Sequence, residues 1–291
     1  VQRERHTSWP VIQGSTVKGV ARDAARSCVA QPGTGSLAAA DKDDGIVAAF
    51  GPSLHGSDDA RDRAGSVTFS DARALLFPVR SLKGVYALIT CPMAVDRLID
   101  DCTLAGIAPP LQEPPSLTPG QCLCASEELL FVARNGSRHA LLEDMAVQHA
   151  GTDTAALLAG FAGVEPANRM LIVEDQLFDF CVNYRTQVVT RNALDYDTKT
   201  VSGTALFSEE FLPPGTLMYS IISLDRVYGS SNAEDGSQEA MRKVAASIRT
   251  WLHGKSMQFG GDASTGKGIC RVTLKGDEIF AAGGGDTDED A

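Results

Sequence analysis

Two apolar runs, at 75–79 and 85–90, are separated only by Arg80-Ser81-Leu82-Lys83-Gly84. Runs that short, bounded by turn residues, point to strands. Residues 67–72 alternate apolar and polar in the same sense, and 129–132, 171–174, 188–193, 217–224 and 269–274 are further strand candidates. Asp195 to Thr200 is turn-rich between two extended segments, so 187–207 reads as a long hairpin. Against these stand two segments of helical period. After Gly14-Ser15-Thr16, a turn whose hydroxyls can cap a helix, Val17, Val20, Ala21, Ala24, Ala25 and Cys28 share one face while Lys18, Arg22 and Arg26 share another. Near the C-terminus, 239–253 places Met241, Val244, Ala245, Ile248, Trp251 and Leu252 inward, with Gly254 as the stop. Shorter helices are expected at 94–105 and 154–162. Antiparallel-looking strands with two strong helices give an α+β fold.

The connections have their own composition. Residues 31–64 are rich in Gly, Ser, Asp and Ala and read as a loop around a short helix. Pro109 to Pro119 holds five prolines and reads as a linker or extended arm. Residues 283–291 carry Asp286, Asp288, Glu289 and Asp290 and no base, the composition of a disordered acidic tail. Val1 opens what already reads as the middle of a domain, so an upstream segment is expected.

The 291 residues carry a net charge of −11, which argues against a general nucleic-acid binder. The charge is uneven, however: residues 1–27 are net +3 and residues 71–97 net +2. Local field decides where a phosphate backbone can lie. On composition alone the plainer reading, an acidic enzyme with scattered surface bases, is favoured. No apolar stretch is long enough for a membrane span, and the first residues lack a signal-peptide core. Seven cysteines without a Cys-x-x-Cys pair indicate neither a zinc site nor a disulfide framework. A reducing cytoplasm is the natural setting.

The sharpest local motif is Gly260-Gly261-Asp262-Ala263-Ser264-Thr265-Gly266-Lys267-Gly268. From Gly261 it nearly spells a Walker loop, but Gly268 has no hydroxyl for magnesium, and the following residues alternate like a strand instead of opening a helix. Glycines still let backbone N–H groups approach a phosphate, with Lys267 as a point charge; a plain glycine hairpin is the competing reading. The histidines are single, and no nucleophile elbow or triad is visible. His6, following Arg3 and Arg5, is a candidate for a place near phosphate. Glu127-Glu128 and Glu209-Glu210, if on strands, point to opposite faces. Trp9, Phe211 and Tyr219 could stack on bases, although core packing is the commoner use of such rings.

Gln2-Arg3-Glu4-Arg5-His6-Thr7, then Gly14-Ser15-Thr16-Val17-Lys18-Gly19, resembles the N-terminal signature of the repeated backbone subunit of type III-B (Cmr-type) CRISPR effector complexes. Phe50-Gly51-Pro52, the run from Phe69 to Tyr86 containing Phe77-Pro78-Val79-Arg80-Ser81-Leu82-Lys83-Gly84, and the glycine-rich segment are similar to that family in matching order. The resemblance implies a single RAMP domain over 1–291: a modified RNA-recognition (ferredoxin-like) palm, a β-hairpin thumb at about 187–207 and a helical insertion at about 31–64. It implies copies stacked along CRISPR guide RNA beside other Cmr-type subunits, with target RNA cut at regular spacing and a divalent metal ion, magnesium, in the cleavage. Ser15, Lys18, Arg22, Arg80, Lys83, Arg191, Gly260, Gly261 and Lys267 are the expected RNA contacts. The family's catalytic aspartate precedes the Gln-Arg-Glu-Arg-His motif, upstream of Val1, so no catalytic residue is assigned; His6 and Glu209 are candidates for accessory roles. A structural RNA-binding subunit that never cuts is the alternative, and a stand-alone nucleotide binder a third.

Overall fold

The structure is a computed structural model and describes residues 1–30, 36–53, 64–164, 167–225, 227 and 234–276, with backbone alone at 193–194, 202–205 and 234–236. Parts of the expected insertion and the whole acidic tail lie outside the described residues. From the N-terminus come β1 (Val11–Ile12), α1 (Gly14–Val29), α2 (Leu37–Ala40), α3 (Asp44–Phe50), β2 (Val67–Phe69), β3 (Ala72–Ser81), β4 (Val85–Thr90) and α4 (Pro92–Leu104). The middle of the chain supplies β5 (Gln121–Cys124), β6 (Phe131–Val132), β7 (Arg138–Leu142), β8 (Met145–Gly151), α5 (Asp153–Ala162), β9 (Met170–Val173) and α6 (Asp175–Tyr184). Then follow β10 (Gln187–Leu194), β11 (Val201–Phe211), β12 (Leu217–Tyr219), β13 (Ile222–Leu224), α7 (Glu234–Leu252), β14 (Ser256–Gln258) and β15 (Ile269–Arg271). The chain is α+β, and its contacts divide it into two compact units, each assembled from separate segments.

The first unit comprises Val1–Val11, Arg73–Leu104 and Ala108–Tyr219. Its sheet runs β3-β4-β9-β5-β8-β7-β6 and curls back on itself where Ser81 of β3 meets Leu142 of β7. The strands are not all antiparallel, as the sequence suggested. β4 runs parallel to β9 and β5 to β8; parallel pairs need crossover connections, and the one from β4 to β9 includes α4 and α5, while the one from β5 to β8 passes through β6 and β7. Phe77, Ile89, Leu142, Leu171 and Phe178 are fully buried in one cluster, each contributing about 1.5–3 kcal/mol by leaving water. Glu127 and Glu128 lie in a short 3-10 turn, not on a strand.

The second unit comprises Ile12–Ala72, Ala105–Ile107 and the residues from Ser220 onward. Here α1 packs against α7, α3 and β14. Ala21 and Ala25 of α1 and Val244, Ile248, Trp251 and Leu252 of α7 are buried, as their spacing required. Phe50 stacks on Phe69 and on Trp251 at centroid distances of 6.1 and 6.2 Å. The expected strand at 217–224 is two strands: β12 pairs with β3, β13 with β2. The expected hydroxyl cap on α1 is also replaced. The helix begins at Gly14, and its N-cap, Gln13, gives no side-chain bond. Instead the Gly14 N–H donates to Asp71 Oδ1 at 2.7 Å. A Cβ at Gly14 would lie 2.4 Å from the Phe69 carbonyl oxygen, so only glycine lets this helix end approach β2 so closely.

Candidate RNA-contact surfaces

In the second unit α1 carries three of the expected contacts, and the structure separates them. Ser15 is exposed in the first turn. Lys18 is not: its Nζ donates to the Val67 carbonyl at 3.1 Å, and burial, then the neighbouring Arg22, push its pKa down. Arg22 donates to Asp41 at 3.1 and 3.3 Å, and Arg26 reaches the same carboxylate at 3.2 Å. The basic face is thus largely a structural clasp onto the residues after α2. Gly19, one turn after Ser15, is exposed, and a Cβ there would meet nothing within 4 Å. A glycine inside a helix costs about 1 kcal/mol against alanine, and no contact among the described residues explains this one.

The glycine-rich segment joins β14 to β15 as a braced loop. Gln258 Nε2 donates to the carbonyls of Gly260, Gly261 and Lys267 at 2.9, 3.1 and 3.2 Å. At Gly268, a Cβ would stand 1.9 Å from the Phe259 carbonyl oxygen, so that glycine closes the loop. Gly261 is different. Its backbone needs no positive φ, and a Cβ would meet nothing within 4 Å among the described residues, which leaves room beside this backbone for an outside group. The loop leads into a strand, not a helix, so the geometry of a nucleotide-hydrolysing Walker loop is absent there.

In the first unit the β3–β4 turn displays Lys83, exposed between Leu82 and Val85, which are 67% and 80% exposed. Val85 has φ +73, a conformation β-branched residues avoid. Arg169 holds this backbone by donating to the carbonyls of Gly84 and Tyr86 and lies 4.5 Å over the Tyr86 ring. Arg80 is 84% exposed but committed: its Nε and Nη2 clasp Glu143 at 2.9 and 2.7 Å, and its backbone N–H donates to the same carboxylate. Burial acts to raise the Glu143 pKa, and the Arg80 bonds outweigh it, so the net shift is downward.

The hairpin expected at 187–207 is present as β10 and β11, paired antiparallel from Gln187↔Phe211 to Leu194↔Val201. It joins no other sheet among the described residues. Its tip is tied by Asp195, whose Oδ1 accepts from the Asp197 and Thr198 amides and the Thr198 hydroxyl. Val188, Leu206, Phe207 and Tyr196 are exposed along it. Arg191 pairs across the strands with Glu209 at 2.6 Å, and its guanidinium lies 5.9 Å from the Phe211 ring centroid. These contacts give Arg191, Glu209 and Phe211 a structural part along the hairpin. Glu210 points elsewhere, to Arg3 and Thr186, as the alternation of a strand requires.

The Gln-Arg-Glu-Arg-His-Thr run proves to be a folded turn. Arg3 reaches inward to the Ser8 and Val182 carbonyls and to Asn183 and Glu210. Glu4 accepts from Thr7 and from Arg97 of α4. Trp9 is buried, packs edge-on against Phe178 and donates to Asp179, so it is core, not a base-stacking surface. Tyr219 likewise donates to Asp101 within the unit. Arg169 has no mark in the sequence, and Arg97 only its place in the basic segment 71–97, because their partners are distant along the chain.

Among the described residues no three His, Cys, Asp or Glu side chains gather as a metal-holding set. The described residues do not by themselves form a cage for a divalent ion. No described helix is long and apolar enough to cross a membrane. All seven cysteines are free, and burial pushes the Cys122 and Cys181 thiols up to about 12, which keeps them protonated and inert.

Comparison with known proteins places this architecture. The RAMP superfamily pattern matches residues 1–271. The CRISPR system Cmr endoribonuclease Cmr4 of Pyrococcus furiosus is 33% identical over 294 residues, covering 98% of this chain and 89% of that protein. The crystal structure of oligomeric Cmr4 from Pyrococcus furiosus superposes with a TM-score of 0.68 at 30% identity, over 94% of this chain and 90% of that one. A chain of the type III-B Cmr-beta complex bound to cognate target RNA has a TM-score of 0.64 at 19% identity, over 94% of this chain and 86% of that one, which is a likeness of fold alone. The chain belongs to the RAMP superfamily and, within it, to the Cmr4 family.

Proposed function

We propose that this chain is the backbone subunit of a type III-B CRISPR effector complex, holding guide RNA in a row of its own copies and cleaving target RNA at regular spacing beside other Cmr-type subunits. The observation that carries this reading is the 33% identity to Cmr4 across 98% of the chain. The two units are read as one RAMP domain, since each is assembled from separate segments. Three surfaces support RNA binding. They are the open face of α1 at Ser15 and Gly19, the loop at Gly261 and Lys267, and the turn displaying Lys83. The hairpin supports the geometric role: a two-stranded ribbon is marginal alone and gains order from a partner. A cytosolic setting agrees with seven free cysteines.

The test is reconstitution of the full-length protein with guide RNA and its partner subunits. A regular ladder of target fragments is expected. Stable guide binding without any target cleavage would favour the purely structural role, and failure to bind guide RNA would overturn both. A requirement for magnesium is tested by chelation: cutting that persists in excess EDTA removes it.

A further inference from the structure

We propose that Arg97, His6 and Arg5 form a binding site for a phosphodiester group of RNA; the proposal rests on the RNA-binding reading above and locates one contact within it. The turn that carries them is built outward from the core. The Glu4 N–H donates to the Trp9 carbonyl at 2.8 Å, the Ser8 N–H donates to the Glu4 carbonyl at 3.0 Å, and Ser8 takes φ +62 to close the turn. Within it the side chains divide. Arg3, Glu4 and Thr7 are consumed by internal bonds. Arg5 and His6 are exposed, and Arg5 has no hydrogen-bond or ion-pair partner among the described residues.

Arg97 makes this a prepared site instead of two loose surface side chains. Its Nη1 donates to Glu4 at 3.1 and 3.4 Å, and its guanidinium lies 4.9 Å over the ring of the buried Trp9. The fork is thereby fixed before any ligand arrives. Its Nη2 is turned the other way, 3.0 Å from His6 Nε2, and the His6 side chain is 70% exposed. Glu4 offsets one of the two arginine charges, which leaves the exposed side net positive. A planar guanidinium held in place, with the His6 imidazole against its Nη2 and Arg5 exposed on the same turn, fits the oxygens of a phosphate better than it fits a single carboxylate. Pre-ordering also removes the entropic cost of arranging the donors on binding. The phosphodiester can belong to the guide or to the target strand, and the two are separated by experiment.

The full chain is assembled with guide RNA and its partner subunits in wild-type form and as Arg5→Ala, His6→Ala, the double variant and Arg5→Lys. Guide affinity is read during assembly, and target affinity on complexes already assembled, each across a range of salt. The double variant is expected to lose about tenfold in affinity for one of the two strands. Its slope of log affinity against log salt should flatten by about one counterion. Arg5→Lys should keep the slope, and the melting temperature should not move, because both residues are exposed. Loss at assembly assigns the site to the guide; loss only in the second measurement assigns it to the target. Unchanged affinities and slopes in the double variant, with the wild type binding both strands, overturn the site while sparing the RNA-binding reading. So does a loss of copy-to-copy association at unchanged RNA affinity. A wild-type chain that binds neither strand overturns the functional reading itself, and this site with it.

Discussion

Lys18 and Arg22 stand at i and i+4 on α1, the spacing that a phosphate-binding helix face would have, yet their charges are spent on the Val67 carbonyl and on Asp41. Spacing reports which side chains share a face; it cannot report what that face meets. Asp41, partly buried and shared by Arg22 and Arg26, is accordingly a stability residue. Asp41→Ala should cost about 1–3 kcal/mol in urea unfolding, and an unchanged midpoint would show that the clasp contributes nothing. Gly19 gives the converse test. With open space around it, Gly19→Ala should stabilise the helix by about 0.5–1 kcal/mol. If RNA comes to this face of α1, the same methyl group should weaken guide binding. Higher stability with equal affinity would remove α1 from the RNA path.

At the level of elements, legibility followed from whether the signal was local. The long hairpin and α7 were readable because a polar, turn-forming tip and a sustained 3.6-residue period are written in consecutive residues. The hairpin of β7 and β8 was not. Its turn, Glu143-Asp144, holds no glycine, although Glu143 adopts φ +54, and the conformation is held by Arg80 of another strand. That support is tertiary, so no window of sequence contains it. The ten-residue α6 was missed because it follows β9 at once and is short enough to pass for loop. At the tip of the long hairpin, by contrast, the support is local. Backbone and hydroxyl donors of Thr198 and the Asp197 amide hold the Asp195 carboxyl below its usual pKa. A folded pKa below the unfolded one means that this order is fully present above the ordinary carboxylate range and is lost as pH falls through the lowered value. Amide exchange should therefore show the Asp197 and Thr198 protons protected at neutral pH and released in acid. Asp195→Ala should release them at both, and equal protection in the variant would deny the carboxylate its role.

For the whole molecule, the separation between geometry and chemistry can be tested through the same hairpin. None of the residues that build the first unit's buried core lies between 187 and 211, so removing 195–202 should leave the fold and its melting temperature intact. Nor does the deletion touch the open face of α1, the glycine-rich loop or the turn at Lys83, so guide affinity should hold as well. What it removes is the end of a ribbon that pairs with no other strand among the described residues and that carries exposed Tyr196 at its tip. If that ribbon sets where the target strand is presented for cutting, its loss should blur the positions of the cuts while the overall rate falls much less. Positioning errors of about an ångström can lower a rate a hundredfold at one phosphate, so a shift of the preferred phosphate along the strand is the expected form of the defect. Removal of the residue that performs the chemistry should instead abolish all cuts and spare target binding. Fragment mapping on assembled complexes distinguishes the two, and a ladder of unchanged, sharp spacing from the deleted form would show that the hairpin does not measure the target.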